Sequence, residues 1–231
     1  MKYKIPKLIQ LLSAELPNLT TTFEAVAAMP PDKRVAWAKA QRATIFRDGW
    51  FINTPVGLQG EGETVQEHVE HLKQLIDRYL PSSFIERAKA YAECHDDAET
   101  IVHAVIGGIK RDLNPRFNEK SYRISDENKG EAEKLAADLI FENEPETQSL
   151  LLSYREKKDA AASLFSSLDK LCVMWRCVDF VQSGKYAYSD FQAYWNYWTP
   201  EKVSEKMPVL IADIYDRDVW PKAEALRLET R

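Results

Sequence analysis

Apolar residues recur along most of the chain at the three- and four-residue spacing of amphipathic helices, and no segment alternates convincingly like a strand. Loops are expected at the glycine-rich stretch 53–63 and at the polar stretch 107–127. The pattern predicts helices over residues 5–14, 32–46, 64–79, 82–105, 127–143, 146–157, 159–183, 189–198 and 201–215. We therefore expect an all-α fold.

Capping residues sharpen two of these boundaries. Thr64 precedes the third helix, and Glu67 follows three residues later, which is the spacing of a capping box. Pro81-Ser82-Ser83 is expected to end this helix and to cap the next one. Neither repeats nor low-complexity tracts divide the chain. We predict a single domain in which residues 1–45 form a helical extension, packed on a core of residues 46–231.

The chain's size and charge limit the classes of function that it can have. With 231 residues, 45% of them hydrophobic and 29% charged, the chain has the composition of an ordinary globular domain. Its net charge of −5 argues against a general nucleic-acid-binding surface. An anionic substrate would need local positive charge, from a metal ion or from a few Arg and Lys side chains.

The location is expected to be cytoplasmic. Gln10, Ser13 and Glu15 interrupt the short apolar stretch near the N-terminus, which argues against a secretory signal. No apolar run approaches the length of a membrane span. The three cysteines are an odd number without the spacing of a disulfide framework, so we expect reduced thiols.

Ligand-type residues lie on the apolar faces of three separate predicted helices. His68 occupies the apolar stripe of one helix, His95, Asp96 and Glu99 fall within one turn of the next, and Asp169 interrupts a third. A lone buried histidine is usually a core residue with a satisfied partner. Unpaired buried polar groups are costly, however, and a bound metal ion would explain all three positions together.

Imidazole and carboxylate donors suit one divalent ion such as Zn, Mn, Fe, Co or Ni, with Mg a further candidate. Such an ion leaves room for water and makes it a nucleophile at neutral pH. Glu99, which is not needed as a ligand, would be placed to move the proton of that water.

The ordered set of histidines and aspartates resembles the motif of the HD superfamily of metal-dependent phosphohydrolases. The similarity is greatest to the small HD-domain 5′-(deoxy)nucleotidases and covers roughly residues 45–185. The segments that carry it are RDGW (47–50), TVQEH (64–68), HDDAE (95–99), GEAEKLA (130–136) and LDKLCVMWRCVDFV (168–181).

This resemblance implies an HD-domain helical bundle and a role for each matching residue. The ligands of one divalent metal would be His68, His95, Asp96 and Asp169. Glu99 would be the acid/base residue, with Asp96 the second residue on which the chemistry depends. Arg47 would contact phosphate, Trp50 would shape the substrate pocket, and Lys110 would also bind substrate.

The chain departs from the pattern in two places. His103-Ala104 stands where these nucleotidases usually carry Gly-Asp, although Lys110 remains in a suitable position. The loop between Trp50 and His68 is also longer than usual. These departures bear on the substrate more than on hydrolysis.

The function expected from the resemblance is hydrolysis of (deoxy)nucleoside 5′-monophosphates to nucleoside and phosphate. A dNTP triphosphohydrolase, or a hydrolase of another nucleotide, is the first alternative. The second is a degenerate HD module that binds nucleotide without catalysis.

Three other groups of residues leave open alternatives. His71 and His103 could serve a second metal, although one metal is favoured because no histidine follows residue 103. The basic cluster after residue 109 is either solvated or binds extra phosphates; it comprises Lys110, Arg111, Arg116, Lys120 and Arg123. The aromatic stripe is either core or the interface of a homodimer; it comprises Phe191, Tyr194, Trp195 and Trp198.

Overall fold

The fold is all-α in the computed structural model, which describes residues 5–12, 19–45, 47, 63–102 and 126–229. Within these ranges no β-strand occurs, and one β-bridge is present at Thr64. The α-helices are α1 (Lys7–Leu12), α2 (Leu19–Ala28), α3 (Pro31–Gln41), α4 (Val65–Tyr79), α5 (Ser82–Ala92), α6 (Glu99–Val102), α7 (Asp126–Ile140), α8 (Pro145–Arg155), α9 (Ala160–Gln182), α10 (Gln192–Tyr197), α11 (Pro200–Lys206), α12 (Val209–Ile214) and α13 (Trp220–Glu229). A 3₁₀ turn, Tyr188–Phe191, precedes α10, and a π-helical turn, Tyr215–Val219, precedes α13.

The start of α4 confirms the predicted capping box. The Thr64 hydroxyl accepts the Glu67 backbone N–H at 3.1 Å, and the Glu67 carboxylate accepts the Thr64 N–H at 2.8 Å. Pro81, rather than a serine, is the N-cap of α5, and no side chain caps that helix.

The continuous helix predicted over residues 82–105 is wrong over residues 93–98. It ends at Ala92, residues 93–98 form consecutive turns, and α6 begins only at Glu99. Asp side chains compete with the backbone for hydrogen bonds and weaken helix interiors, and this stretch contains two of them in succession. His95 and Glu99 therefore do not lie one above the other on a continuous helix.

Three other helical regions also differ from the prediction. Helix α2 was not predicted. It contains three consecutive threonines, which have low helix propensity, and it is stabilised by a buried stripe of Leu19, Phe23 and Val26. The helix expected over 201–215 is broken at Pro208, since the residue before a proline is driven into the extended conformation observed at Met207. Helix α13 lies beyond the last predicted element.

The described helices bury two hydrophobic clusters. In the first, the long helix α9 packs against α4, α5, α8 and α13. Phe191, Tyr194 and Trp195 belong to this cluster, so the aromatic stripe packs in the core, and the homodimer stays a prediction. In the second cluster α1, α2 and α3 pack with α6 and α7.

Residues 93–98 lie where the two clusters meet. Tyr91 and Ala92, just before this turn segment, are buried in the first cluster, whereas Cys94 and Ala98 are buried in the second. The turn segment thus carries His95 and Asp96 at the junction between the two cores. The boundary predicted at residue 45 stays a prediction.

Two further expectations can be compared with the described residues. The cysteines Cys94, Cys172 and Cys177 are free and buried, as predicted. Among the described helices, none combines the length and apolarity that crossing a membrane requires.

Candidate metal centre

Two backbone hydrogen bonds join Ile45 and Arg47 to the residues at the start of α4, on one side of the site. The Arg47 N–H donates to the Glu63 carbonyl, and the Val65 N–H donates to the Ile45 carbonyl, both at 2.9 Å. This pairing holds Ile45 and Arg47 beside the start of α4. As a result the side chain of Arg47 lies against His68, one turn into the helix.

His68, His95, Asp96 and Asp169 converge although they come from α4, the turn segment 93–98 and α9. His68 Nε2 lies 3.0 Å from Asp169 Oδ1 and 3.6 Å from Asp96 Oδ2. His95 Nε2 lies 3.2 Å from Asp96 Oδ2 and 3.8 Å from Asp169 Oδ1. Each imidazole nitrogen therefore faces both carboxylates, and the donor atoms of His68, His95 and Asp169 all lie within 4.8 Å of one another, a spacing that suits ligands of a single cation.

The hydrogen bonds of His95 leave one ring nitrogen for a ligand. Its Nδ1 lies 3.1 Å from the Ala92 carbonyl, which can only accept, so Nδ1 carries a hydrogen and Nε2 is the nitrogen that faces the carboxylates. Metal-binding histidines are commonly oriented in this way. Phe165 and Tyr154 hold the ring edge-on, at centroid distances of 5.1 and 6.0 Å.

Buried atoms without hydrogen-bond partners also point to a missing cation. Within the described residues, His95 Nε2 and Asp96 Oδ2 are buried and make no hydrogen bond of good geometry. The side chains are almost enclosed, since His68 and His95 are 0% and 2% exposed. Such orphaned polar atoms are costly unless a ligand satisfies them, so the residues present fit a metal ion.

Electrostatics in the metal-free site are those of imidazolium–carboxylate pairs. Burial lowers the pKa of His95, but Asp96 and Asp169 outweigh it and raise the pKa to about 10. Burial raises the pKa of Asp96, but His95 and Arg47 outweigh it and hold the pKa below its usual value. His95 is therefore protonated and Asp96 ionised, and a cation that binds the His95 ring must displace its proton.

Glu99 is a separate buried carboxyl at the edge of the site. It begins α6, is 8% exposed, and its Oε2 has no hydrogen-bond partner among the described residues. Burial and the charge of Asp96 raise its pKa to about 7, and Lys129 opposes them. A carboxyl with this pKa can both take and return a proton near neutral pH.

A second set of polar side chains lies behind His68. The carboxylate of Glu63 lies 3.5 Å from His68 Nδ1 and 3.8 Å from His71 Nδ1. Cys172 Sγ lies 3.4 Å from His68 Nδ1 and 3.6 Å from His71 Nδ1. The described residues thus contain two groups that could hold a metal ion: His68 with His95 and Asp169, and His68 with Glu63 and Cys172.

Sequence reasoning missed Glu63, Cys172 and Tyr154. Glu63 ends the glycine-rich stretch that was predicted to be a loop, and its side chain is completely buried. Its position directly before the cap Thr64 was the one available signal. Lys129 and Glu133, which pair at 3.1 Å on α7, were also not expected beside Glu99.

Several predicted site residues lie outside the described residues. These are Trp50, Lys110 and His103, together with the rest of the basic cluster, Arg111, Arg116, Lys120 and Arg123. No protein-family model matches the chain, and the comparison with curated proteins found no match either.

Proposed function

We propose that this protein is a metal-dependent phosphohydrolase of the HD superfamily that converts (deoxy)nucleoside 5′-monophosphates to nucleoside and phosphate. The observation that carries the proposal is the cluster of His68, His95 and Asp169, with Asp96 beside both histidines and with buried donor atoms left unpaired. The resemblance of the sequence motifs supplies the reaction class and the substrate class.

The four converging side chains would hold one divalent cation. When bound, such an ion supplies a Lewis acid that acidifies water and offsets the charge of a phosphoryl group. His95 is oriented for this task by the Ala92 carbonyl, and Asp169 by its place in the middle of the long helix α9.

Glu99 would move protons for the attacking water. It lies at the edge of the donor set rather than within it, and its raised pKa suits a group that must be deprotonated to accept a proton near neutral pH. Because the enclosed site excludes most water, the proton has few competing acceptors.

Two cationic side chains would bind the phosphate. Arg47 is 20% exposed, and its planar guanidinium can donate two parallel hydrogen bonds to phosphate oxygens. Lys129 on α7 is 23% exposed and lies within electrostatic reach of Glu99. This local positive charge offsets the overall negative charge of the chain, which would otherwise repel a nucleotide.

A nucleotide panel tests the proposal with protein reconstituted separately with Mn, Co, Mg and Zn. Inorganic phosphate released from dAMP, with dATP left intact, is the expected product pattern. Tripolyphosphate released from dATP would instead identify a triphosphohydrolase. Nucleotide-dependent thermal stabilisation without turnover would identify a binding module.

Glu99→Gln provides the matched test of mechanism. The variant is expected to retain the metal and to lose turnover by roughly 10²- to 10⁴-fold, the usual contribution of a general acid or base. Glu86→Gln is the control, since Glu86 is an exposed carboxylate on α5. Wild-type turnover in Glu99→Gln would remove that residue from the mechanism.

A further inference from the structure

A fully buried carboxylate lies behind the candidate metal centre. The Glu63 side chain is 0% exposed, and neither of its oxygens has a hydrogen bond of good geometry among the described residues. Its Oε2 atom is 3.5 Å from His68 Nδ1, on the opposite side of the ring from Asp169. A buried charge of this kind needs compensation from its neighbours.

Two arginines provide that compensation. Arg47 Nη1 lies 3.5 Å from Glu63 Oε2, and Arg176 Nε lies 3.0 Å from Glu63 Oε1. Each carboxylate oxygen thus faces a guanidinium, which is always positively charged. These two contacts favour an ionised carboxylate at Glu63 inside the protein.

The same arginines argue against a second cation at Glu63 and Cys172. The donor spacings of 3.4 to 3.8 Å would suit one. However, a divalent ion there would lie beside two guanidinium groups that already neutralise the carboxylate, in a medium where like charges repel strongly. The charge balance thus favours a carboxylate that acts on His68 rather than on a metal.

We propose that Glu63 is a positioning residue of the metal centre, which accepts the Nδ1–H of His68 and directs the Nε2 lone pair of that ring toward Asp169 and His95. Carboxylates that hold metal-binding histidines in this way fix the tautomer and raise the basicity of the ligand. This inference rests on the metal centre of the proposed function.

Arg47 also contacts His68, so the hydrogen position on the His68 ring affects whether Arg47 is available to bind substrate phosphate. Arg47 Nη1 lies 2.7 Å from His68 Nδ1, and a guanidinium can only donate. That bond requires Nδ1 to lack a hydrogen, which places the ring hydrogen on Nε2. If Nε2 of His68 binds a metal, Nε2 has no hydrogen and the ring hydrogen lies on Nδ1. Arg47 can then no longer donate to Nδ1, and the Glu63 carboxylate accepts the Nδ1 hydrogen in its place. Metal loading thereby frees an Arg47 N–H for phosphate.

Nuclear magnetic resonance of the wild-type chain tests the tautomer without a variant. In protein loaded with Zn²⁺, the nitrogen shifts and two-bond proton couplings of the His68 ring are expected to show Nε2 on the metal and hydrogen on Nδ1. His71→Gln assigns the neighbouring ring by difference. A loaded protein in which His68 keeps its hydrogen on Nε2 would overturn the proposal.

Zinc affinity tests the role of the carboxylate. In competition with a chromophoric chelator, Glu63→Gln is expected to bind one Zn²⁺ roughly 10- to 100-fold more weakly than wild type, with Glu63→Asp in between. Glu70→Gln is the matched control with unchanged affinity, since Glu70 is an exposed carboxylate on α4, the helix that carries His68. Circular dichroism melts in chelator establish that each variant is folded.

The outcomes separate this inference from the proposed function. If Glu63→Gln binds zinc as tightly as the wild-type protein does, the positioning role is overturned. The role is also overturned if the wild-type protein binds two zinc ions and the Glu63→Gln variant binds only one. A zinc-binding wild type that hydrolyses no nucleotide would overturn the proposed function alone. A wild type that takes up no zinc would overturn both.

Discussion

The buried ion pair between Arg42 and Asp97 is expected to contribute several kcal/mol to stability. Arg42 Nε lies 2.5 Å from Asp97 Oδ1, and the two side chains are 4% and 0% exposed. Arg42 also donates to the backbone carbonyl of Glu93 at the start of the turn segment 93–98. Asp97→Asn keeps the shape of the side chain and removes its charge.

The magnitude follows from what Arg42 retains in the variant. Removing one partner of a buried ion pair typically costs about 3–5 kcal/mol, because the remaining charge is left without compensation. Arg42 would keep its bond to the Glu93 carbonyl and a 3.3 Å contact with the Glu93 carboxylate, which is 40% exposed. The expected loss is therefore at the lower end, about 3 kcal/mol of unfolding free energy.

Urea denaturation at pH 7 in the presence of a chelator measures this loss. The chelator is required because a metal that binds only the folded state would add its own stabilisation. Asp32→Asn is the matched control, since Asp32 is 68% exposed and pairs with Lys33 at 3.6 Å, and its loss should stay below about 0.5 kcal/mol. In a double-mutant cycle with Arg42→Met, the coupling energy should reach about 2 kcal/mol.

An Asp97→Asn protein whose unfolding free energy lies within about 0.5 kcal/mol of wild type would refute this reasoning. Zinc affinity provides a second measurement on the same variant. Because the turn segment carries His95 and Asp96, loosening it is expected to weaken zinc binding as well, whereas Asp32→Asn should not.

Three other predictions concern single residues. Thr64→Ala removes the hydroxyl of the capping box and should lower the unfolding free energy by about 1 kcal/mol in the same urea assay, with Thr64→Ser close to wild type. Carbon-13 nuclear magnetic resonance in the presence of a chelator should show the Glu99 carboxyl titrating with a midpoint near pH 7, above its ordinary pKa of 4.5. Because the pKa is raised in the folded state, Glu99 contributes to the free energy of unfolding at low pH, and this contribution is lost as the pH rises through 7. A midpoint near 4.5 would contradict the prediction. Lys129→Met should raise KM for dAMP about tenfold, as expected for a lost hydrogen bond to a charged group, and an unchanged KM would exclude Lys129 from phosphate binding.

Local sequence signals located the elements that carry the candidate site. The capping box at Thr64 and the apolar period along α4 and α9 placed His68 and Asp169 on helices, and the structure has both helices close to the predicted bounds. Helix periodicity and capping depend on residues within one or two turns, so a single sequence is enough to identify them. The apolar pattern also named His68, His95, Asp96 and Asp169 as candidate ligands, although His95 and Asp96 lie on a turn segment and not on the predicted helix.

Contacts between distant segments decided the rest. After Ala92 the chain leaves the helical conformation and forms the turn segment 93–98. Arg42 donates to the Glu93 carbonyl and to the Asp97 carboxylate of this segment, although Arg42 and Asp97 are 55 residues apart along the chain. Glu63 is buried because Arg47 and Arg176 neutralise it, and nothing near Glu63 in the sequence indicates Arg176. The sequence alone determined the all-α pattern and the chemical types of the candidate ligands. Only the tertiary structure decided which charges are buried together, because burial and ion pairing depend on neighbours in space.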